Sequence, residues 1–150
     1  MNNSGEVVRL ADAMIRAGAL VRVVRRRERS VVPGLEPGQL GLFDALAAGP
    51  CRITELAAAL QLELSTVSRR ISRLVELGLV EKLADATDRR VQMAALTGQG
   101  REALDRIQQE RRTLFAEMLE GWQGDDVSQL ARLLEQLADQ IERCEHLRRD

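Results

Sequence analysis

From Leu64 to Gly100 the hydrophobic pattern changes period repeatedly, and this stretch constrains the fold more than any other. Leu64, Val67, Ile71, Leu74 and Gly78 fall within about 80° of one another at 100° per residue, which is the stripe of a helix packed on one side. Leu79 to Leu83 and Val91 to Ala95 read as two antiparallel strands, and Ala84 to Arg90 forms the loop between them. Asp85 and Asp88 are turn formers whose side chains can bond nearby amides, and Arg89 and Arg90 close the loop with paired cations. The order is therefore helix, strand, basic loop, strand.

The outer face of the helix is polar and cationic. Ser65, Arg69 and Ser72 point directly away from the stripe, Thr66 and Arg73 occupy one flank and Ser68 the other. Arg70 falls nearer the buried edge and is expected to snorkel or to touch a phosphate. A shorter helix precedes it, Ile53 to Leu60 with Thr54 as N-cap, and Gln61-Leu62-Glu63 is the turn. Two helices joined in this way form a helix-turn-helix whose second helix can enter a major groove. Arg69 is long enough to reach guanine N7 and O6, while Ser65, Thr66 and Ser68 can bond base edges or phosphates. Arg89 and Arg90 suit a narrow, electronegative minor groove. The same residues also fit a solvated helix face and an exposed hairpin with Asp88–arginine pairs, so the residues alone leave both readings open.

A net charge of -1 does not exclude a polyanionic partner, because binding depends on where the charge lies. Leu64 to Leu74 holds three arginines and no acid, whereas Asp125 to Asp150 holds seven acids against four arginines. With 150 residues and 45% hydrophobic content, the chain is expected to form one domain, 1–150, without metals, cofactors or disulfides. No apolar run approaches the ~20 residues that cross a bilayer, and Met1 to Glu6 lacks a charged leader or apolar signal, which gives a cytoplasmic expectation with no membrane partner.

Long helices flank the central segment. Glu6 to Arg29 carries Val7, Leu10, Met14, Ala17, Val21 and Val24 on one face and ends in Arg25-Arg26-Arg27-Glu28-Arg29, which could form a nucleic-acid patch but is read in preference as dipole-compensating, solvated charge. Pro33, Gly34, Pro37 and Gly38 break the pattern, and Pro37 is placed as the first residue of a second helix running through Leu40, Phe43, Leu46 and Ala47. Thr97 caps a long helix that ends near Gly121-Trp122-Gln123-Gly124. A last helix begins at Asp125 or Asp126, with Val127, Leu130, Leu134, Leu137, Ile141 and Cys144 at the alternating spacing of a helix–helix seam.

The residues Leu35-Glu36-Pro37-Gly38-Gln39-Leu40, Ile53-Thr54-Glu55-Leu56-Ala57, Ser65-Thr66-Val67-Ser68-Arg69 and Asp88-Arg89-Arg90, followed by Leu96-Thr97 and Gly100, resemble the MarR family of bacterial winged-helix transcriptional regulators. The most specific part is D-x-R, five residues, L-T, two residues, G, on Asp88, Arg90, Leu96, Thr97 and Gly100. Glu36 departs from the usual Thr. The resemblance implies a mainly α fold with a small β-hairpin wing: a winged helix-turn-helix over 35–97 and dimerisation helices over 6–30 and 98–148. It implies a homodimer on double-stranded DNA at a pseudo-palindromic operator, with Arg90 as the wing residue and Asp88 shaping the wing. A dimer covering a promoter blocks polymerase without further contacts, so repression is the expected sign.

Release by a small-molecule effector is one expectation, since regulators resembling this family often bind small aromatic acids between the dimer helices and the winged domain. A thiol-based redox response through Cys51 is another, because a helix N-terminus and Arg52 can lower a thiol pKa. Against it, Cys51 and Cys144 also read as small packing residues, and His146 and Trp122 read as solvated and packing residues. No phosphate-binding glycine loop or Ser/His/Asp spacing supports an enzyme. The competing class is a dimeric winged-helix protein-interaction module that does not bind DNA.

Overall fold

The computed structural model describes residues 4–147, without the side chains at 142 and from 144 onward, so the readings of Cys144 and His146 lie outside the described residues. Six helices and three short strands follow one another: α1 (Ser4–Ser30), α2 (Leu40–Leu46), β1 (Cys51–Arg52), α3 (Ile53–Ala59), α4 (Leu64–Glu76), β2 (Val80–Ala84), β3 (Gln92–Leu96), α5 (Gly98–Met118) and α6 (Gly124–Leu147). The chain divides into two compact units, one running to Thr113 and the other from Leu114.

The first unit is built around an apolar core to which α2, α3, α4, the sheet and α5 all contribute. Leu42, Phe43 and Leu46 of α2, Leu56 of α3, Val67, Ile71 and Leu74 of α4, Val80 and Leu96 of the strands and Ile107 of α5 belong to one buried cluster. Each such side chain contributes about 1.5–3 kcal/mol when taken out of water. The α4 stripe is buried as its periodicity predicts, except that Leu64 at the first turn is 48% exposed.

Both helices of the helix-turn-helix end in the same hydrogen-bonded motif. At the end of α3, Leu62 N donates to Ala57 O and Gln61 N to Ala58 O; at the end of α4, Leu79 N donates to Leu74 O and Gly78 N to Val75 O. The motif needs a left-handed residue after the cap. Gly78 supplies it at φ 71°, whereas Gln61 adopts it at φ 53° with a side chain attached. The turn sits where the sequence places it, with an unusual residue at its corner.

The sheet is antiparallel in the order β1-β3-β2, with Val80 opposite Leu96 and Ala84 opposite Gln92. Its two hairpin strands each begin one residue later than the alternation predicts. The edge strand β1, which pairs Cys51 with Ala94, is absent from the sequence reading because two residues are too few to alternate. It displaces the expected cap of α3: the helix begins at Ile53, Arg52 rather than Thr54 is the N-cap, and Arg52 N donates to Glu55 Oε2 at 3.3 Å.

Pro37 does not start a helix. Residues 37–38 form a turn, and α2 begins at Leu40 after Gln39, whose Oε1 accepts the Glu36 amide at 2.7 Å. The start of α5 is as predicted. Thr97 Oγ1 accepts the Gly100 amide at 3.0 Å and donates to Gly78 O at 2.6 Å, which ties the helix to the end of α4. A Cβ at position 100 would lie 1.9 Å from Leu79 O, so this position takes only glycine.

The last turns of α1 differ from the expectation of solvated charge. Glu28 is fully buried and accepts from Arg111 Nε of α5 and, at 3.2 Å, from Arg25 Nη1. Asp44 of α2 accepts from the same two arginines, Arg25 Nη1 at 2.9 Å and Arg111 Nη2 at 3.0 Å. Two cations and two anions form a closed ring that joins three helices. Burial opposes the charge on Arg111, but the hydrogen bonds it donates to Glu28 and Asp44 outweigh it and raise its pKa. Arg27 pairs with Glu110 at 2.8 Å.

Apolar side chains elsewhere remain uncovered in the single chain. On α1, Val24 is buried while Val7, Leu10, Met14 and Val21 are exposed. In the second unit, Leu130, Leu133, Leu134 and Ile141 of α6 are exposed as well.

Candidate nucleic-acid interface

The candidate interface is built on α4, whose buried face is set by Val67, Ile71 and Leu74 and whose opposite face is therefore presented outward. Ser65 and Arg69 are exposed, and Thr66 and Ser68 are half-buried on its two flanks. Arg69 has no hydrogen-bond or ion-pair partner among the described residues, which leaves its full set of donors available. Arg73 differs, because it pairs with Glu76 at 2.9 Å and with Glu36 at 3.8 Å. Arg70 does not reach the outer face; its Nη1 donates to Gly38 O at 3.1 Å.

The loop between β2 and β3 is organised chiefly by Asp85. Its Oδ1 accepts from Thr87 N at 2.8 Å, Thr87 Oγ1 at 2.5 Å and Asp88 N at 3.2 Å, and its Oδ2 accepts from Arg52 Nε at 3.1 Å. The hydrogen bonds from Thr87, with those from Asp88 and Arg52, hold the Asp85 carboxyl well below the usual carboxylate range. Asp88 takes the second half of the loop: its Oδ1 accepts from Arg90 N at 3.0 Å and its carbonyl from Val91 N at 2.9 Å. Neither aspartate pairs with the guanidinium of Arg89 or Arg90. Arg89 and Arg90 are consequently exposed, with no side-chain acid partner among the described residues.

The two elements share one side of the molecule. A cavity of about 300 Å3 is lined by Ser68 and Leu64 of α4, by Arg52 and Thr54 at the start of α3, and by Arg90 and Gln92 of the wing. Lys82 of β2 donates from Nζ to Ser72 Oγ at 3.1 Å and bridges the hairpin to the other side of the same helix face. The sequence reading missed Lys82 and Arg52. Neither offered a signal: Lys82 lies in phase with the buried Val80 on a strand whose exposure does not alternate, and the partner of Arg52 lies 33 residues away.

Cys51 lies in β1, half-buried. Burial, followed by the hydrogen bond to Glu55, raises its pKa, the opposite of the lowering expected from a helix end and Arg52. The Arg52 guanidinium is directed to Asp85 instead.

A helix-turn-helix followed by a two-stranded wing defines a winged helix-turn-helix protein. Residues 34–91 match the model of the MarR family. Over 89 residues the chain is 32% identical to the uncharacterized HTH-type transcriptional regulator YxaD of Bacillus subtilis (strain 168), a match covering 59% of this chain and 62% of that protein. Over 94 residues it is 30% identical to the HTH-type transcriptional repressor IacR of Pseudomonas putida, covering 63% of this chain and 56% of that protein. The match thus spans less than two thirds of either relative. The solved structure of a MarR family protein from Bacillus stearothermophilus superposes with a TM-score of 0.77 at 20% identity, over 93% of this chain and 98% of that one, and shares the fold. The segment 34–91, which holds the helix-turn-helix, β2 and the wing loop, is thus similar to the MarR family. Among the described residues, no helix is long and apolar enough to cross a membrane.

Proposed function

We propose that the protein is a sequence-specific, DNA-binding transcriptional regulator of the cytoplasm, and not an enzyme. The observation that carries this reading is the placement of three arginines without acid partners, Arg69 on α4 and Arg89 and Arg90 on the wing, with Ser68 and Arg90 lining one cavity. In this reading α4 lies in the major groove, where Arg69 donates to guanine and Ser65, Thr66 and Ser68 bond base edges or phosphates. Arg90, with Arg89, holds the adjacent minor groove, and Asp88 keeps the wing in shape. Arg73 contacts a phosphate by leaving its exposed acids.

The working form is a homodimer on a pseudo-palindromic operator. Support comes from the exposed apolar residues of α1 and α6, which a second copy would cover. Repression is the proposed sign, as the name of the Pseudomonas putida relative suggests. Control by a small-molecule effector is favoured over oxidation at Cys51, whose raised pKa disfavours the reactive thiolate.

The test is binding of the purified chain to duplex DNA from its own promoter region over a range of salt concentrations. The logarithm of affinity should fall linearly with the logarithm of salt, with a slope of about 0.9 per phosphate neutralised. Absence of salt-dependent binding would leave the protein-interaction module as the better reading, and a monomeric sedimentation mass at micromolar concentration would sink the dimer.

A further inference from the structure

One side chain reaches from the start of the helix-turn-helix to the wing. Arg52 closes β1, where it pairs with Met93 of β3, and it is also the N-cap of α3, with its amide donating to Glu55 Oε2 at 3.3 Å. Its backbone is therefore held by the sheet and by the helix at once. From that fixed base the guanidinium extends to Asp85: Nε donates to Oδ2 at 3.1 Å, and Nη2 lies 3.0 Å from the same oxygen. Glu55 Oε1, 4.0 Å from Nε, is the weaker contact.

The other oxygen of Asp85 serves the loop. Oδ1 accepts from Thr87 N, Thr87 Oγ1 and Asp88 N, and Asp88 Oδ1 in turn accepts from Arg90 N at 3.0 Å. A continuous path of hydrogen bonds thus runs from Arg52 through Asp85 and Asp88 to Arg90. The backbone bonds of the loop, Asp85 N to Val91 O at 3.0 Å and Val91 N to Asp88 O at 2.9 Å, stay within the hairpin and do not fix its tip against the helices. Arg52 and Arg90 also line one cavity together with Ser68 of α4.

We infer that Arg52 is a positioning residue for the wing. Through Asp85 it fixes the loop, so that Arg90 stands at a set distance from α4. The effect on DNA rests on the function proposed above, in which α4 and the wing meet adjacent grooves of one stiff duplex. A wing already held at the required distance loses little freedom on binding, whereas a loose loop must be ordered at that moment. The alternative is a direct phosphate contact by Arg52, which lines the cavity beside Arg90. It is the weaker reading, because Nε and Nη2 already face Asp85 and the charge is matched there.

The test joins amide hydrogen exchange of the free full chain to a double-mutant cycle on duplex affinity. In Arg52→Ala the amides of Thr87, Asp88 and Arg90 should exchange about tenfold faster, while those of α4 keep their wild-type protection and show that the variant is folded. Duplex affinity should fall about fivefold to tenfold. Arg52→Ala/Arg90→Ala should bind no more than about twofold more weakly than Arg90→Ala alone, because both act on one contact, whereas the effects of Arg52→Ala and Arg69→Ala should multiply. Arg52→Lys, which keeps a charge for Oδ2 but lacks the fork, should fall between wild type and Arg52→Ala. Unchanged exchange in the wing, or wild-type duplex affinity in Arg52→Ala, overturns the proposal. So do Arg52 and Arg90 effects that multiply, an outcome that makes Arg52 a phosphate contact in its own right. If wing exchange rises as stated but the wild-type chain binds no duplex, Arg52 stands as the residue that positions the wing and the DNA-binding reading falls.

Discussion

Arg25 and Arg111 at the α1–α2–α5 junction and Arg69, Arg89 and Arg90 on α4 and the wing are the same residue type put to opposite uses. The first pair is neutralised by Glu28 and Asp44 in a closed ring, whereas the other three have no acid partner among the described residues. The difference lies in the position of the acids rather than in the number of cations. Around the wing, Asp85 pairs with Arg52 and otherwise takes Thr87 and the Asp88 amide, and Asp88 takes the Arg90 amide, so neither carboxylate matches the side-chain charge of Arg89 or Arg90. A cation matched inside the fold makes the loss of its partner costly, and a cation left unmatched at the surface is available to a polyanion.

The largest effect should come from breaking the ring. Glu28→Ala leaves two arginines facing each other without one of their anions, and should cost about 3 kcal/mol in chemical unfolding. If the loss is below about 1 kcal/mol, the ring is not a structural device and the contrast with the wing disappears. Arg69→Ala and Arg90→Ala should do the reverse. Each is expected to leave stability within about 0.5 kcal/mol, as surface substitutions do, while duplex affinity falls about tenfold. Arg90→Ala should also lower the salt slope by about one phosphate, and Arg69→Ala should relax discrimination between operator variants.

Asp85 lies between these cases, because it uses one arginine to fasten the wing. Its folded pKa is depressed, so its stabilisation is fully present above the ordinary carboxylate pKa of about 3.9 and is lost as pH falls below that value towards the folded pKa. Melting curves of wild type and Asp85→Asn should therefore differ at neutral pH and converge in acid. Curves that stay parallel down to the acid limit would show that the carboxylate does not hold the loop. The smallest effect is expected for Arg73→Ala, because Arg73 already shares its charge with Glu36 and Glu76. Its loss of duplex affinity should be less than half that of Arg69→Ala on a logarithmic scale, and an equal loss would mean that these exposed pairs do not compete with DNA.

Much of this architecture was legible because it is local. The α4 stripe needs only the 3.6-residue period, and the Thr97 cap needs only its own hydroxyl and the Gly100 amide. The outward side of α4, with Ser65 and Arg69, follows from the same period, since a helix that buries one face must show the other. Several local readings nevertheless failed at boundaries. Pro37 gave way to a turn, Thr54 to Arg52 as cap, and both hairpin strands moved by one residue.

By itself, then, the chain determined the succession of helix, turn, helix and hairpin, and the face of α4 that points outward, because these depend on contacts between near neighbours. Tertiary structure alone decided which charges are matched. Glu28 is surrounded in sequence by arginines and reads as solvated, yet its decisive partner, Arg111, is 83 residues away. Arg52 meets Asp85 across 33 residues, and Arg70 meets Gly38 across 32. Composition counts charges without locating them, and a Coulomb interaction depends on separation in space, which only the folded chain sets.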